Sequence, residues 1–470
     1  MIRSEVLIIF IMCFLAGKVS GQSGDLNERD FIRMLVDNHP SALKAKLEIE
    51  SGNQEIIAAK GAFDPVIGGT AYRKLFKGTE YYTKYDAGIR QPLNLLGMDI
   101  EGGFELNRGT FLNPEQSTPI SGLGYLGLRL PLLQGMNIDR RRTDLQLSKI
   151  YAAQTQINNL DVLNKLLLDG LGAYWNWVRA RQRVQVLQGL LDNNQTVFEG
   201  IRVSYLQGDL PAIDTVEAFQ QLQRITLQYN SELIQLQRAY NHLKSNLYGD
   251  DAQPLAIAMD VPASEFDAAA IFDPELLQLL GQEALLEKHP NIEFLKNEAE
   301  RLSALLKWER ERLKPRLDLQ YNLLADTGMS AVEQTFFNDN YQAGLTLQFP
   351  LLFRTARAKT EQLKIYTQQN NLELIDEFNI LENMAEATRF RLDNTRTQVD
   401  IASSISEDAR RLYEAELTRF RLGESSVFLV NTRELQYLQA QNTLIDLSTE
   451  EILQGYRLLF DLGILYEIAE

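Results

Sequence analysis

Cysteine, histidine and basic charge are all scarce in this chain, and each shortage removes a class of function. The one cysteine, Cys13, cannot build a disulfide framework. Three histidines occur in 470 residues. His39 and His289 stand far apart, with no carboxylate–histidine pattern of ligand spacing, so polar helix starts suit them better than metal sites. The formal charge is −16, and a binder of nucleic-acid backbone needs a basic surface. After the N-terminal leader no run of 18 or more apolar residues occurs, which excludes a membrane-spanning helix but not a β-barrel. No nucleophile–base set, phosphate loop or metal cluster stands out, so the chain reads as a non-enzyme without a cofactor. Gly122-Leu123-Gly124-Tyr125-Leu126-Gly127 fits the spacing of a dinucleotide loop. It opens a strand-like run ending at a proline, not a helix, and fails on context. Trp175, Trp177 and Trp308 read as helical core or interface aromatics and not as a cofactor box.

What is present begins with a leader. Arg3, the apolar Val6 to Gly17 and the small residues of Val19-Ser20-Gly21 make a secretory signal peptide over 1–21, cleaved before Gln22. Met12 fills the place before Cys13 where a lipoprotein leader wants a small residue.

The rest is built twice. Tyr205-Leu206-Gln207-Gly208-Asp209-Leu210-Pro211 and Phe420-Arg421-Leu422-Gly423-Glu424-Ser425-Ser426 each break a long helical pattern. Gly208 and Gly423 can take positive φ and end a helix, and the residues after them suit the start of another. His39-Pro40 and His289-Pro290 share an offset of 250 residues, as do Pro65 and Pro315. A shared period of this length indicates duplication. Beyond Pro315 the apolar period falls to two. Leu317, Leu319, Tyr321 and Leu323 alternate with polar residues, and Tyr341, Ala343, Leu345 and Leu347 do so again. Runs of about nine residues fit barrel strands with one face in lipid and one in a wet lumen; a soluble sheet with one buried face gives the same pattern. The first repeat alternates through Tyr85, Ala87 and Ile89 and through Ile100, Phe104 and Leu106, with further strand-like runs at 122–130 and 66–73. The strand-to-helix corners at Pro131 and Pro350 are offset by 219, so the first repeat carries about 31 more residues, enough for one extra hairpin. The sequence leaves open whether that hairpin joins a barrel.

From Asp139 to Gln207 and from Thr355 to Leu422 there is no proline. A seam of 3–4 spacing runs through Leu381, Ala385, Thr388, Leu392 and Thr395 to Tyr413, as in coiled coils. Nearly 70 helical residues make a rod of roughly 100 Å. The expected organisation is therefore mainly α with a β-barrel portion. A first repeat covers 22–250, with a helix over 28–60, strands over about 65–131 and long helices over 135–248. A linker follows at 251–273. The second repeat covers 274–470, with a helix over 275–312, strands over about 315–350 and long helices over 354–465.

This order, with the Arg421-Leu422-Gly423-Glu424-Ser425-Ser426 and Tyr205-Leu206-Gln207-Gly208-Asp209 tips and the Pro131-Leu132-Leu133 and Pro350-Leu351-Leu352 corners, resembles the TolC-like outer-membrane efflux proteins. The resemblance covers about residues 25–465. It implies a homotrimer whose strands share one barrel in the outer membrane and whose helices form a periplasmic tunnel. It further implies that the tips, Tyr205, Gly208, Asp209 and Leu210 with Phe420 to Ser426, meet a periplasmic adaptor coupled to an inner-membrane pump, in drug or metal efflux or in type I secretion. Two departures stand out. The acidic ring expected six and nine positions after the second tip glycine meets Leu429 and Thr432, whereas the same offsets in the first repeat hold Asp214 and Glu217, the candidates to line the entrance. The tyrosine expected three before that glycine is Phe420. A coiled-coil scaffold of the envelope without a channel, and an envelope enzyme, are the competing classes.

Overall fold

A computed structural model describes residues 26–255, 285–328 and 339–469. The expected signal peptide and the expected linker from 256 onward lie outside them. The first two helices among the described residues are α1 (Glu28–Asn38) and α2 (Pro40–Lys60). The helical stretch expected over 28–60, with its early interruption at Pro40, is divided at His39. Pro40 lacks an N–H and disfavours helical backbone before it, and His39 is extended at φ −69°, ψ 133°. The break is capped: His39 Nδ1 accepts from Ser41 N at 3.1 Å. The second repeat does the same, with His289 Nδ1 accepting from Asn291 N at 3.1 Å ahead of α5 (Pro290–Glu311). Both histidines act as caps, and burial lowers both below the usual imidazole range.

Among the described residues six antiparallel strands form one sheet in sequence order: β1 (Val66–Phe76), β2 (Thr79–Pro92), β3 (Asp99–Arg108), β4 (Leu123–Pro131), β5 (Arg316–Asp326) and β6 (Tyr341–Gln348). The additional hairpin of the first repeat is β2–β3, lying inside the sheet between β1 and β4. The repeats join where β4 pairs β5, with Leu126 opposite Leu323 and Leu130 opposite Leu319. Gly127 permits this approach, because a Cβ there would overlap the side chain of Asn322. The Gly122–Gly127 run leads into and forms strand β4, as its context required.

The long helices are α3 (Arg140–Gln207) and α6 (Arg354–Arg421), 68 residues each, returned by α4 (Ala212–Lys244) and α7 (Val427–Asp461). Their length is roughly 100 Å at about 1.5 Å per residue. The spacing-derived seam of α6 is buried at Leu381, Ala385, Thr388, Leu392, Thr395, Ala402, Ser406 and Tyr413. The main core sits midway, where Phe31 and Leu35 of α1 meet Leu167, Tyr174 and Trp177 of α3 and Tyr456 of α7. Gly170 lets Leu35 in: a Cβ there would stand 2.4 Å from Leu35 Cδ1. No helix among the described residues is long and apolar enough to cross a membrane.

The helices form a layer ordered like the sheet. α3 touches α2 and α4 on one flank and α5 and α7 on the other, and α6 lies beyond against α5 and α7. The protomer is thus a strip, with β1, α2 and α4 at one edge and β6 and α6 at the other.

Candidate functional site: the helical tips and the sheet wall

The two tips are the same turn. Gly208 (φ 86°) and Gly423 (φ 77°) are left-handed. Gly208 N donates to Tyr205 O and Asp209 N to Ser204 O, both at 3.0 Å. Gly423 N donates to Phe420 O and Glu424 N to Arg419 O, both at 2.9 Å. This paired closure satisfies the last carbonyls of each long helix, and a side chain at the glycine would strain it. The following helices start differently. Ser426 Oγ accepts from Leu429 N to cap α7, whereas Pro211 caps α4 with no side-chain bond.

The fold brings the tips together. Ile201, Ala218 and Val427 are buried in one cluster, with Leu210 and Phe420 against it. Phe420 and Leu210 thus point partly into the tip and hold it, while Arg421, Leu422 and Glu424 are exposed with Tyr205 and Asp209. Leu206 and Leu422 are each at least 70% exposed at the two turns, and Phe428 and Ile213 are also open. Ser425 is half-buried, donating to Glu416, and Ser426 is exposed. Asp214 and Glu217 are half-buried just after the first turn, and Thr432 spends its hydroxyl on Phe428 O at 2.8 Å.

A residue the sequence reading missed lies one turn further. Glu434 is 3% exposed. It accepts from Asn194 Nδ2 at 2.8 Å, Gln221 Nε2 at 2.6 Å and Tyr413 OH at 3.1 Å. One carboxylate thus ties together α3, α4, α6 and α7. Burial pushes it above the usual carboxyl range against the three donors, and the same burial, beside Glu434, raises Tyr413. The available signal was its place on the apolar face of α7, between Val430 and Leu438. Glu28, likewise buried and raised, accepts from Trp175 Nε1 at 2.7 Å and Tyr456 OH at 2.5 Å.

At the far end of α3 and α6 the chain turns into the sheet. Pro131 ends β4, and the ladder runs past it as Leu132 N donates to Leu317 O at 2.7 Å. Asp139 caps α3 by accepting from Arg142 N at 2.9 Å. Arg141 bonds Asp99 of β3 at 2.7 Å; burial alone would lower this guanidinium, and Asp99 and Asp139 more than offset it. Pro350 opens a bare corner with Leu351 and Leu352 exposed. Across the sheet the faces alternate in register. Among the described residues no group of three metal-type side chains is gathered.

No family model and no curated protein matches the chain. Solved structures do. The CmeC outer membrane channel of Campylobacter jejuni aligns at TM-score 0.66 and 13% identity, over 93% of this chain and 86% of that one. The open state of the Neisseria gonorrhoeae MtrE outer membrane channel aligns at 0.65 and 13%, over 93% and 88%. The outer membrane protein VceC of Vibrio cholerae aligns at 0.60 and 12%, over 93% and 95%. The chain has the fold of these outer-membrane proteins, so the resemblance read from tips and corners holds at the level of fold.

Proposed function

We propose that this chain is the outer-membrane exit duct of a tripartite efflux or type I secretion system. Three protomers close into one barrel and one helical tunnel, which passes substrate from a periplasmic adaptor and its inner-membrane pump to the outside. The observation that carries this reading is the strip with two open edges. Among the described residues β1 and β6 each pair with a strand on one side only, and every residue of both strands is exposed. The helical edges are equally bare: Leu372, Ile375, Phe390 and Ile401 of α6, and Leu227 and Ile234 of α4, are exposed apolar residues. Isolated edges of this kind are an aggregation hazard, and a barrel abolishes them. Edge-to-opposite-edge contact is heterologous and closes only as a ring. One six-stranded sheet cannot enclose an aqueous bore, since about eight strands are just filled by side chains. CmeC and MtrE, whose fold the chain shares, are outer membrane channels, which supports the same reading.

In this duct the tips dock the adaptor, helix against helix, through exposed Tyr205, Asp209, Arg421, Leu422 and Glu424. Asp214 and Glu217 line the entrance, and the bore conducts passively, with no cofactor. The test is the double substitution Leu422→Asp with Gly423→Pro. Export should be lost while trimers persist in the outer membrane. Normal export would refute the docking role, and a soluble monomer would refute the duct.

A further inference from the structure

We infer that the barrel of the assembled protein has eighteen strands, six from each of three protomers, with the β2–β3 hairpin forming part of its wall. The inference rests on the trimer proposed above and adds the size and composition of the pore.

The internal duplication defines what the hairpin adds. In the second repeat the strand after Pro315 pairs directly with the strand before Pro350, Leu317 opposite Leu347. The first-repeat counterparts are β1 after Pro65 and β4 before Pro131, and between them stand β2 and β3. Two simple pairs would put four strands in the chain and twelve in a trimer. The hairpin could instead have folded outside the sheet, as an appendage to a β1–β4 pair.

Three observations place it in the wall. First, β2 and β3 have partners on both sides: β1 along β2 in one register from Val66 opposite Arg90 to Lys74 opposite Tyr82, with a bulge only beyond Lys74, and β4 along β3 from Asp99 to Glu105. Second, the faces stay in phase. The row Ile67, Ile89, Gly102, Leu126, Leu323, Tyr341 crosses all six strands without a charge. The adjacent row, on the opposite face, is Val66, Arg90, Glu101, Gly127, Asn322, Gln342. A slip of one residue would have turned the hairpin's charges into lipid. On the polar face Glu101 of the hairpin lies between Arg90 at 3.7 Å and Arg129 of β4 at 3.5 Å. Third, the inner end is bolted to the helical layer. Asp99 binds Arg141, Gly97 O accepts from Arg141 Nη2 at 3.2 Å, and Gln91 Nε2 donates to Phe63 O at 2.7 Å.

The apolar face stops where a membrane would. Arg73, Thr83 and Arg108 are opposite one another near the outer ends of β1, β2 and β3. Beyond them Phe76, Tyr81 and Phe111 stack into an aromatic group, the type of residue that forms interface girdles. Barrel diameter grows roughly linearly with strand number, so eighteen strands make a barrel roughly half again as wide as twelve. The added wall brings Asp86, Arg90, Glu101 and Glu105 to the lumen of each protomer.

The experiment has two arms on the full-length protein. Electron cryomicroscopy of the trimer in lipid nanodiscs should count eighteen strands in a section through the bilayer. Twelve strands, with density outside the ring, would overturn the inference and leave the duct intact; a soluble monomer would overturn both. In a Cys13→Ser background, Asp86→Cys and Ala87→Cys are then compared with a charged methanethiosulfonate reagent added from outside. Asp86→Cys should react at least about ten-fold faster, because its thiolate forms in a wet lumen and its neighbour faces lipid. Equal rates at the two positions would overturn the inference.

Discussion

The two repeats share their boundaries and differ in what those boundaries enclose. Each has a histidine cap before a proline ahead of its strands and ends its long helix on the same glycine turn. Between these points the first repeat threads four strands and the second two. Junctions depend on backbone groups that must be satisfied, so few residue types serve there. A sheet tolerates an inserted hairpin provided that the alternation stays in phase and the edges still meet a partner. The tips repeat the lesson on a smaller scale: the turns coincide, but their acids are placed differently. The first repeat keeps Asp214 and Glu217 beside the turn, half-buried; the second has Leu429 and Thr432 there and places Glu434 in the core.

The largest expected effect comes from removing what joins the repeats. Glu434→Ala leaves Asn194, Gln221 and Tyr413 buried without their acceptor, at a cost on the order of 3 kcal/mol. Thermal unfolding of the detergent-solubilised protein reads it, and an unchanged midpoint would show that the repeats do not depend on this carboxylate. The equivalence of the turns is tested by Gly208→Ala and Gly423→Ala. Each should lose about 1–2 kcal/mol, because a Cβ is placed at left-handed φ. A cost at one turn and none at the other would break the symmetry. The inequality of the following caps predicts a smaller loss. Ser426→Ala should cost about 1 kcal/mol, while Pro211→Ala removes no side-chain cap.

The gentlest test is pH. The Glu28 and Glu434 carboxyls lie above their ordinary value of 4.5 in the folded chain. From that value up to the raised one, the folded state holds protons that the unfolded chain has released. Their contribution to stability is therefore greatest below 4.5 and is lost as pH rises through the raised values. Glu28→Gln and Glu434→Gln should each flatten the fall of the unfolding midpoint across this window. A slope unaffected by either substitution would contradict the shifts.

Leu381 to Tyr413 were legible as a helical seam because a 3–4 spacing leaves one face apolar whatever it meets. Gly208 and Gly423 were legible because few residues end a helix in left-handed backbone. Leu317 to Leu323 and Tyr85 to Ile89 were legible as alternation, since the strand period is two in any sheet. His39-Pro40 was legible as an early interruption of the helix over 28–60, because proline lacks an N–H and disfavours helical backbone before it.

The local pattern alone thus determined the helices, the turns and the polarity of each strand face, because these follow from backbone sterics and residue spacing within one segment. Only the tertiary structure decided that β2–β3 lies between β1 and β4, that the two tips share a core at Ile201, Ala218 and Val427, and that Glu434 meets three other helices. Each of these joins residues from distant stretches of chain. Spacing within a segment cannot encode which distant donor will reach a buried acid, or which strand will stand beside another.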